Sequence, residues 1–487
     1  MSRAAPCVMV LGTSSGAGKS LLATALCRWA AQQGLRVAPF KAQNMSNNAR
    51  VVATPDGEAG EIGSAQYFQA LAARATPDVR MNPVLLKPEA DTRSQVVVMG
   101  RVRDDLGAVP WRERSALLWP HAQQALQALR EEVDIVVIEG AGSPAEINLA
   151  ASDYVNTLTA LEADGRCLLV ADIDRGGAFA HLYGTHALMD SRLRPKVQGF
   201  VLNKFRGDAS LLAPAPQQLQ QLTGVPTVAV VPMLRDHGLP EEDGVFDPAT
   251  LASPSARTVG VLFTPHISNL DEFQPLRRLP GWRLQWVRTP AEIAGCELLV
   301  LPGSKHTRAD LQWLREQRLD EAICAHAHAG RPLLAVCGGL QLLGEAVHDP
   351  HGSEGGSPGH STGLGLLPLH THFAPPKRLR HTHARFGTLQ GFWAPLSGLA
   401  VQGYEIRVGR TVAPLVHPHC HPVLPDGLGW QQGPVLAVYL HGLFEQPDVL
   451  QALFGAQLPS LDTCFDRLAQ HLDAAFAPGV LQRLLHP

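Results

Sequence analysis

The sequence predicts an α/β protein built from two parallel-sheet units in tandem, and three observations predict it. Short β-rich apolar runs at residues 7–11, 135–138, 167–171, 198–202 and 227–231 alternate with helical stretches, the pattern of buried parallel strands joined by crossover helices. A Pro/Ser/Asp-rich stretch at 246–257 breaks that pattern, and new strands begin at 258–263, 297–301 and 333–336. The chain has 487 residues, and at roughly 150 residues per domain that is enough for two or three cores. The expected boundaries are 1–248 and 256–455, with a C-terminal helical segment at 456–487.

Composition narrows the function classes. Forty-one Lys and Arg against 44 Asp and Glu leave a formal net charge of −3, so nothing global attracts nucleic acid or an anionic membrane. Any bound anion must be held locally. No apolar run reaches the ~18 residues that span a bilayer, and residues 1–11 lack the charged start, apolar core and cleavage site of a leader. The expectation is a cytoplasmic chain with no membrane and no nucleic-acid partner. Eight cysteines are scattered without a CxxC pair, which reads as reduced thiols.

The remaining stretches read as follows. Residues 348–376, rich in Gly, His, Ser and Pro, are expected to form surface loops. In His417-Pro418-His419-Cys420-His421 the alternating histidines invite a metal, but Pro418, Pro422 and the lack of a matching ligand set elsewhere make it a solvated loop, and no metal is assigned there. Leu461, Phe465, Leu468, Leu472 and Phe476 recur at helical spacing and predict helices that pack back on the body.

The first chemical constellation is Gly12-Thr13-Ser14-Ser15-Gly16-Ala17-Gly18-Lys19-Ser20, between a predicted strand and a predicted helix at 21–33. In that context backbone N–H groups around Gly12, Gly16 and Gly18 cradle phosphates, Lys19 neutralises them, and Ser20 is a ligand for Mg²⁺. The first glycine comes one residue early: the usual spacing would put it at Thr13. A Gly-rich turn without a ligand is the alternative. A second strand ends at Glu139-Gly140-Ala141-Gly142, which puts a carboxylate at the sheet edge where open α/β folds bind ligands. Glu139 is either a second Mg²⁺ ligand or a surface carboxylate at a turn. Asn203, after the strand at 198–202, either reads the adenine edge of ATP or caps a turn.

The second constellation is a thiol. A buried strand at 333–336 runs straight into Cys337-Gly338-Gly339 and then an apolar helix at 340–346, a sharp turn that lifts a nucleophile above the sheet. His441 ends another apolar strand, 435–440, and can meet Cys337 as its general base. Gly303 and Ser304, at a third strand-end turn, offer backbone N–H groups for an oxyanion hole.

The early Gly12, the Glu139 turn and Asn203 together resemble dethiobiotin synthetase and its relatives. Partition ATPases of the same fold usually carry an extra lysine where this chain has Gly12 and Thr13. The Cys337, His441 and Gly303 segments resemble class I glutamine amidotransferases. Most of that class have a Glu two residues after the His; here that position is Leu443, and Glu445 comes two residues later. The departure is typical of the triad-lacking branch that amidates cobyrinic acids.

Both halves, with Phe40-Lys41-Ala42-Gln43-Asn44-Met45-Ser46-Asn47-Asn48, Met81-Asn82-Pro83, Asp172-Ile173-Asp174-Arg175-Gly176-Gly177 and Gly403-Tyr404-Glu405-Ile406, make the whole chain resemble the cobyric acid synthases. The resemblance implies a P-loop synthetase domain followed by a flavodoxin-like amidotransferase domain. It implies ATP-dependent, Mg²⁺-assisted amidation of the b, d, e and g carboxylates of adenosylcobyrinic acid a,c-diamide, with glutamine as nitrogen donor and a sheltered path for ammonia. For a polyanionic corrinoid, Lys41, Lys87, Arg175 and Lys204 are candidate carboxylate partners, and Asn44, Asn47 and Asn48 candidate partners for amides already installed. A homodimer is compatible with the sequence. Two rivals remain: cobyrinic acid a,c-diamide synthase, disfavoured by the asparagine-rich segment, and a switch ATPase, disfavoured by retention of Cys337 with His441.

Overall fold

The computed structural model describes residues 4–90, 93–107, 109–235, 237–240, 256–354, 356–414 and 417–485; residues 246–255 of the Pro/Ser/Asp-rich break lie outside them. The described residues form two compact units. The first takes those of Met1–Pro88, Thr92–Asp243 and Ser460–Pro487, and the second chiefly those of Gly244–Pro459.

In the first unit six strands, β1 (Cys7–Gly12), β2 (Val37–Phe40), β3 (Ile135–Glu139), β4 (Arg166–Asp172), β5 (Val197–Phe205) and β6 (Thr227–Pro232), form one sheet. Their order is β6-β5-β4-β1-β3-β2 and every neighbouring pair is parallel. Every residue of β1 and β3 is buried, which is why both read as unbroken apolar runs. Strand β2 escapes the sequence reading because it is four residues long and contains Pro39. It lies at the sheet edge, where a missing N–H is tolerated.

The C-terminal segment, expected as a separate piece, belongs to this first unit. Helix Leu461–Ala475 lies along helix Lys19–Gln32, placing Phe465, Leu468 and Leu472 in one core with Val8, Leu22 and Leu26. Polar contacts fix the pair: Arg28 Nε donates to Asp466 Oδ1 at 2.7 Å and Trp29 Nε1 to Asp473 Oδ1 at 2.9 Å.

In the second unit β7 (Arg257–Leu262), β8 (Trp282–Val287), β9 (Leu298–Leu301), β10 (Leu333–Val336), β11 (Cys420–Leu424), β12 (Gly429–Gln432) and β13 (Val435–Val438) are ordered β8-β7-β9-β10-β13-β12-β11. The five strands from β8 to β13 are parallel in the flavodoxin order, and β12 and β11 add an antiparallel edge. Two local readings are corrected. The helix after Cys337 spans Gly338–Leu343, earlier than expected. Part of 348–376 is strand rather than loop: Ala346–Asp349, Gly359–Thr362 and His370–Arg385 join Ala400–Val412 in a four-stranded sheet. Val347, Thr371 and Phe373 point inward while His348 and His372 stack on the other face, so the alternation was present with histidine as its polar partner.

Candidate functional site

The first site gathers where β1, β3 and β4 end. Gly16 and Gly18 take positive φ of 69° and 97°, which curl the loop around before helix Lys19–Gln32 begins. Lys19 folds back inside the loop, its Nζ donating to Ser14 O at 2.9 Å and Gly142 O at 3.1 Å. That posture explains the early Gly12: a Cβ there would lie 3.0 Å from both Cδ and Nζ of Lys19. Asn203 sits under the loop, 2% exposed, donating Nδ2 to Ala17 O at 2.9 Å, and a Cβ on Gly18 would fall 2.0 Å from that nitrogen. In this structure its amide braces the loop.

Ser20 and Glu139 meet as expected, Ser20 Oγ donating to Glu139 Oε1 at 2.8 Å. Glu139 is 1% exposed and belongs to a buried polar cluster: Lys41 Nζ lies 2.9 Å from Oε1 and Gln69 Nε2 2.5 Å from Oε2. Burial alone would push this carboxyl up; the Lys41 ammonium, with hydrogen bonds from Lys41, Gln69 and Ser20, outweighs it and holds the group below its ordinary value. The turn that follows is clamped by Asn156, which accepts from Ala141 N at 3.0 Å and donates to Ala141 O at 2.8 Å.

The reading of Lys41 and Lys87 as cations facing a substrate polyanion is corrected. Lys41 is 4% exposed and neutralises Glu139. Lys87, 2% exposed, pairs with the fully buried Glu61 at 2.6 Å. A charge in the interior needs a partner there, so both lysines answer the chain's own carboxylates. Lys87→Ala is therefore expected to lower unfolding stability by about 3–5 kcal/mol by breaking a buried ion pair, checked by urea denaturation. Arg175 remains an exposed cation beside Gly16, and Lys204 contacts Gly16 O at 2.8 Å and Asp172 at 3.1 Å. Asn44 and Asn48 are buried, Asn44 accepting from Met45 N, whereas Asn47 Oδ1 has no hydrogen-bond partner among the described residues.

The second site gathers at the ends of β9, β10 and β13. Cys337 adopts φ 51°, ψ −105°, a strained turn between β10 and helix Gly338–Leu343. Its neighbours must be glycine: a Cβ on Gly338 would fall 2.4 Å from Ser304 N, and one on Gly339 2.2 Å from Leu301 O. That close approach brings the Ser304 backbone against the turn that carries Cys337. The Gly303-Ser304 turn pairs antiparallel with Ile267-Ser268, and Ser304 Oγ donates to the buried Asp310 at 2.6 Å. His441 is 1% exposed and so near the turn that a Cβ on Gly303 would lie 3.1 Å from its Cε1, while Cys337 Sγ donates to Ile406 O at 3.7 Å.

One partner of His441 was missed. Glu272, in the short helix Leu270–Arg278, places Oε1 2.8 Å from His441 Nδ1, and its Oε2 accepts from Gly442 N at 2.9 Å. Burial favours the neutral imidazole, but the Glu272 carboxylate and then the Cys337 sulfur prevail, and His441 is pushed up to about 10. Several other thiols are plain core residues: burial pushes Cys7 and Cys167 up to about 12 and Cys296 and Cys420 up to about 11. Among the described residues no group of three or more His, Cys, Asp or Glu side chains is placed to hold a metal ion, the 417–421 histidines included, and no helix is long and apolar enough to cross a membrane.

Comparison with known proteins finds a match for each unit. Residues 8–244 match the CobQ/CobB/MinD/ParA nucleotide binding domain, and residues 258–449 the CobB/CobQ-like glutamine amidotransferase domain. A cobyric acid synthase of Variovorax paradoxus (strain S110) is 65% identical, covering 98% of this chain and 99% of its own. Those of Paracidovorax citrulli (strain AAC00-1) and Leptothrix cholodnii (strain ATCC 51168 / LMG 8142 / SP-6) are 64% and 62% identical, covering 98% and 99% of this chain and 98% and 97% of their own. A nucleotide-binding unit and a glutamine-hydrolysing unit, matched almost end to end at this identity, place the chain in the cobyric acid synthase family of amidotransferases.

Proposed function

We propose that the protein converts adenosylcobyrinic acid a,c-diamide to cobyric acid by ATP-dependent amidation of the b, d, e and g carboxylates, using ammonia released from glutamine. The observation that carries this reading is one chain holding both a lysine-closed phosphate loop beside Glu139 and a strained thiol beside a buried imidazole. Each half supplies what the other lacks.

A carboxylate resists an amine because it is anionic and its oxygen leaves badly. In the first unit a substrate carboxylate oxygen attacks the γ-phosphorus of ATP, ADP departs, and the resulting acyl phosphate has a good leaving group. Lys19, held by two neutral carbonyls, exchanges them for phosphate oxygens, which make stronger charge-assisted bonds. Ser20 Oγ and Glu139 Oε1, 2.8 Å apart, are hard oxygen donors suited to Mg²⁺, and one carboxylate plus phosphates is a usual ligand set for it. Mg²⁺ held there supplies neutralisation of phosphate charge. Asn203, already anchored to the loop, is assigned to the adenine side, and Asn47 Oδ1 to an amide of the corrinoid.

In the second unit the Cys337 thiolate attacks glutamine Cδ, and the oxyanion is received by the Gly303 and Ser304 N–H groups. The C–N bond breaks as His441 gives its proton to the leaving nitrogen, releasing ammonia and a thioester. Water, deprotonated by His441, then hydrolyses the thioester to glutamate and restores the thiol site. Ammonia attacks the acyl phosphate, and inorganic phosphate leaves.

Incubation with ATP, Mg²⁺, glutamine and the a,c-diamide should give, by mass spectrometry, a product carrying four new amides, with unamidated cobyrinic acid used poorly. Conversion of cobyrinic acid to the a,c-diamide and no further would assign the rival diamide synthase activity instead.

A further inference from the structure

We propose that Glu272 is the acid of the glutaminase site, a positioning residue that replaces the carboxylate usually found two residues after the histidine. The proposal rests on the glutaminase reading above and extends it to a residue 169 positions away in the chain.

The usual position is filled by Leu443, 1% exposed and packed in the core, so no acid can act from there. Glu445 faces the Gly442 turn, its Oε2 3.3 Å from where a Gly442 Cβ would lie. Glu272 is 1% exposed and both of its oxygens are committed to this corner, one to the ring and one to the Gly442 N–H. With Nδ1 donating to Glu272, the nitrogen left for Cys337 is Nε2. The ring is also fixed in plane. Tyr404 stacks on it at 5.3 Å and 20°, is bridged to it through backbone hydrogen bonds of 3.0 and 3.3 Å, and has its own hydroxyl held by Asn269 Nδ2 at 3.1 Å.

The same stretch of chain supports both halves of the site. Ile267 and Ser268 pin the Gly303-Ser304 turn, Asn269 holds Tyr404, and Glu272 holds His441. Six residues thus set the oxyanion donors and the base in one frame. An acid at this place does what a triad acid does: it fixes the tautomer and stabilises the imidazolium facing a thiolate.

The charged and titratable groups around His441 are Glu272, Cys337, Tyr404 and, at the following turn, Glu445. Because Glu272 raises the imidazolium's pKa, its loss moves the alkaline limb of the glutaminase profile to lower pH. Glu272→Gln keeps the volume and removes the charge. It should cut kcat for glutamine hydrolysis by roughly 10²-fold, leave KM for glutamine within about twofold, and shift the alkaline limb down by roughly one pH unit or more. Glu272→Asp should restore part of kcat and of the limb. Ammonium-dependent amidation, measured in the same preparations, should stay at the wild-type rate, which separates failure of this proposal from failure of the overall reading. Wild-type kcat with an unmoved limb in Glu272→Gln would overturn the assignment. So would a loss of kcat without a shift of the limb, the mark of a merely structural role.

Discussion

Cys337→Ala should lose glutamine-dependent amidation to background, a fall of about 10⁶-fold, and recover it when ammonium is supplied at mildly alkaline pH. The reason is the separation of the chemistry. Cys337 stands on a strained turn in the second unit, and its proposed task is confined to attack on the glutamine amide. In the proposed mechanism phosphoryl transfer belongs to Lys19, Ser20 and Glu139, which meet in the first unit. Mildly alkaline pH matters because only the unprotonated fraction of ammonium is nucleophilic. His441→Ala should behave in the same way but leak, since a thiol keeps some reactivity without its base. The measurement is product formation with each nitrogen source at matched enzyme concentration. Glutamine use at the normal rate by Cys337→Ala, or no rescue by ammonium in a folded variant, would sink the two-site mechanism.

Lys19→Ala and Glu139→Ala should do the reverse: amidation falls by roughly 10³-fold or more with either nitrogen source, while glutamine hydrolysis stays measurable. In Lys19→Ala the cation that closes the phosphate loop is gone. Glu139→Ala removes the proposed Mg²⁺ carboxylate and also leaves Lys41 buried without the charge it answers. That variant must therefore be shown folded, and Glu139→Gln, which keeps the hydrogen-bonding side chain, is its control. Coupled release of ADP and of glutamate, followed in parallel, separates the two activities. Wild-type amidation in Lys19→Ala would remove the loop from the chemistry.

The parallel sheets were legible because strands buried on both faces leave unbroken apolar runs, as in β1 and β3. The phosphate loop and the thiol turn were legible for a different reason: each is a local device whose residues are adjacent in sequence, and Gly338 and Gly339 betray the crowding they relieve. What failed to show was contact at long range. Nothing in Leu270-Asp271-Glu272 signals that its carboxylate ends against His441, and nothing in Lys87 shows that Glu61 has claimed its charge. Sequence ranks a lysine as exposed on average; only the fold reveals an internal carboxylate waiting for it. The histidine-rich strands were hidden by composition, because Gly and Pro counts spoke for loop while the alternation of Val347, Thr371 and Phe373 spoke for strand.

The return of the C-terminal helix to the first unit has a consequence for biosynthesis of the protein itself. When the ribosome has made residues 1–243, Arg28 has no Asp466 and Asp462, Trp29 has no Asp473, and the face of helix Lys19–Gln32 that meets Phe465, Leu468 and Leu472 is bare. A nascent chain folds from its N-terminus as domains emerge, yet here the helix that starts at the phosphate loop is covered by a segment translated after the second unit. The glutaminase half is thus an interruption in the folding of the nucleotide half, and it can reach its own native state first. A chain truncated by early termination would carry an exposed apolar groove next to its phosphate loop. Quality control could recognise such a product before it ever met a nucleotide.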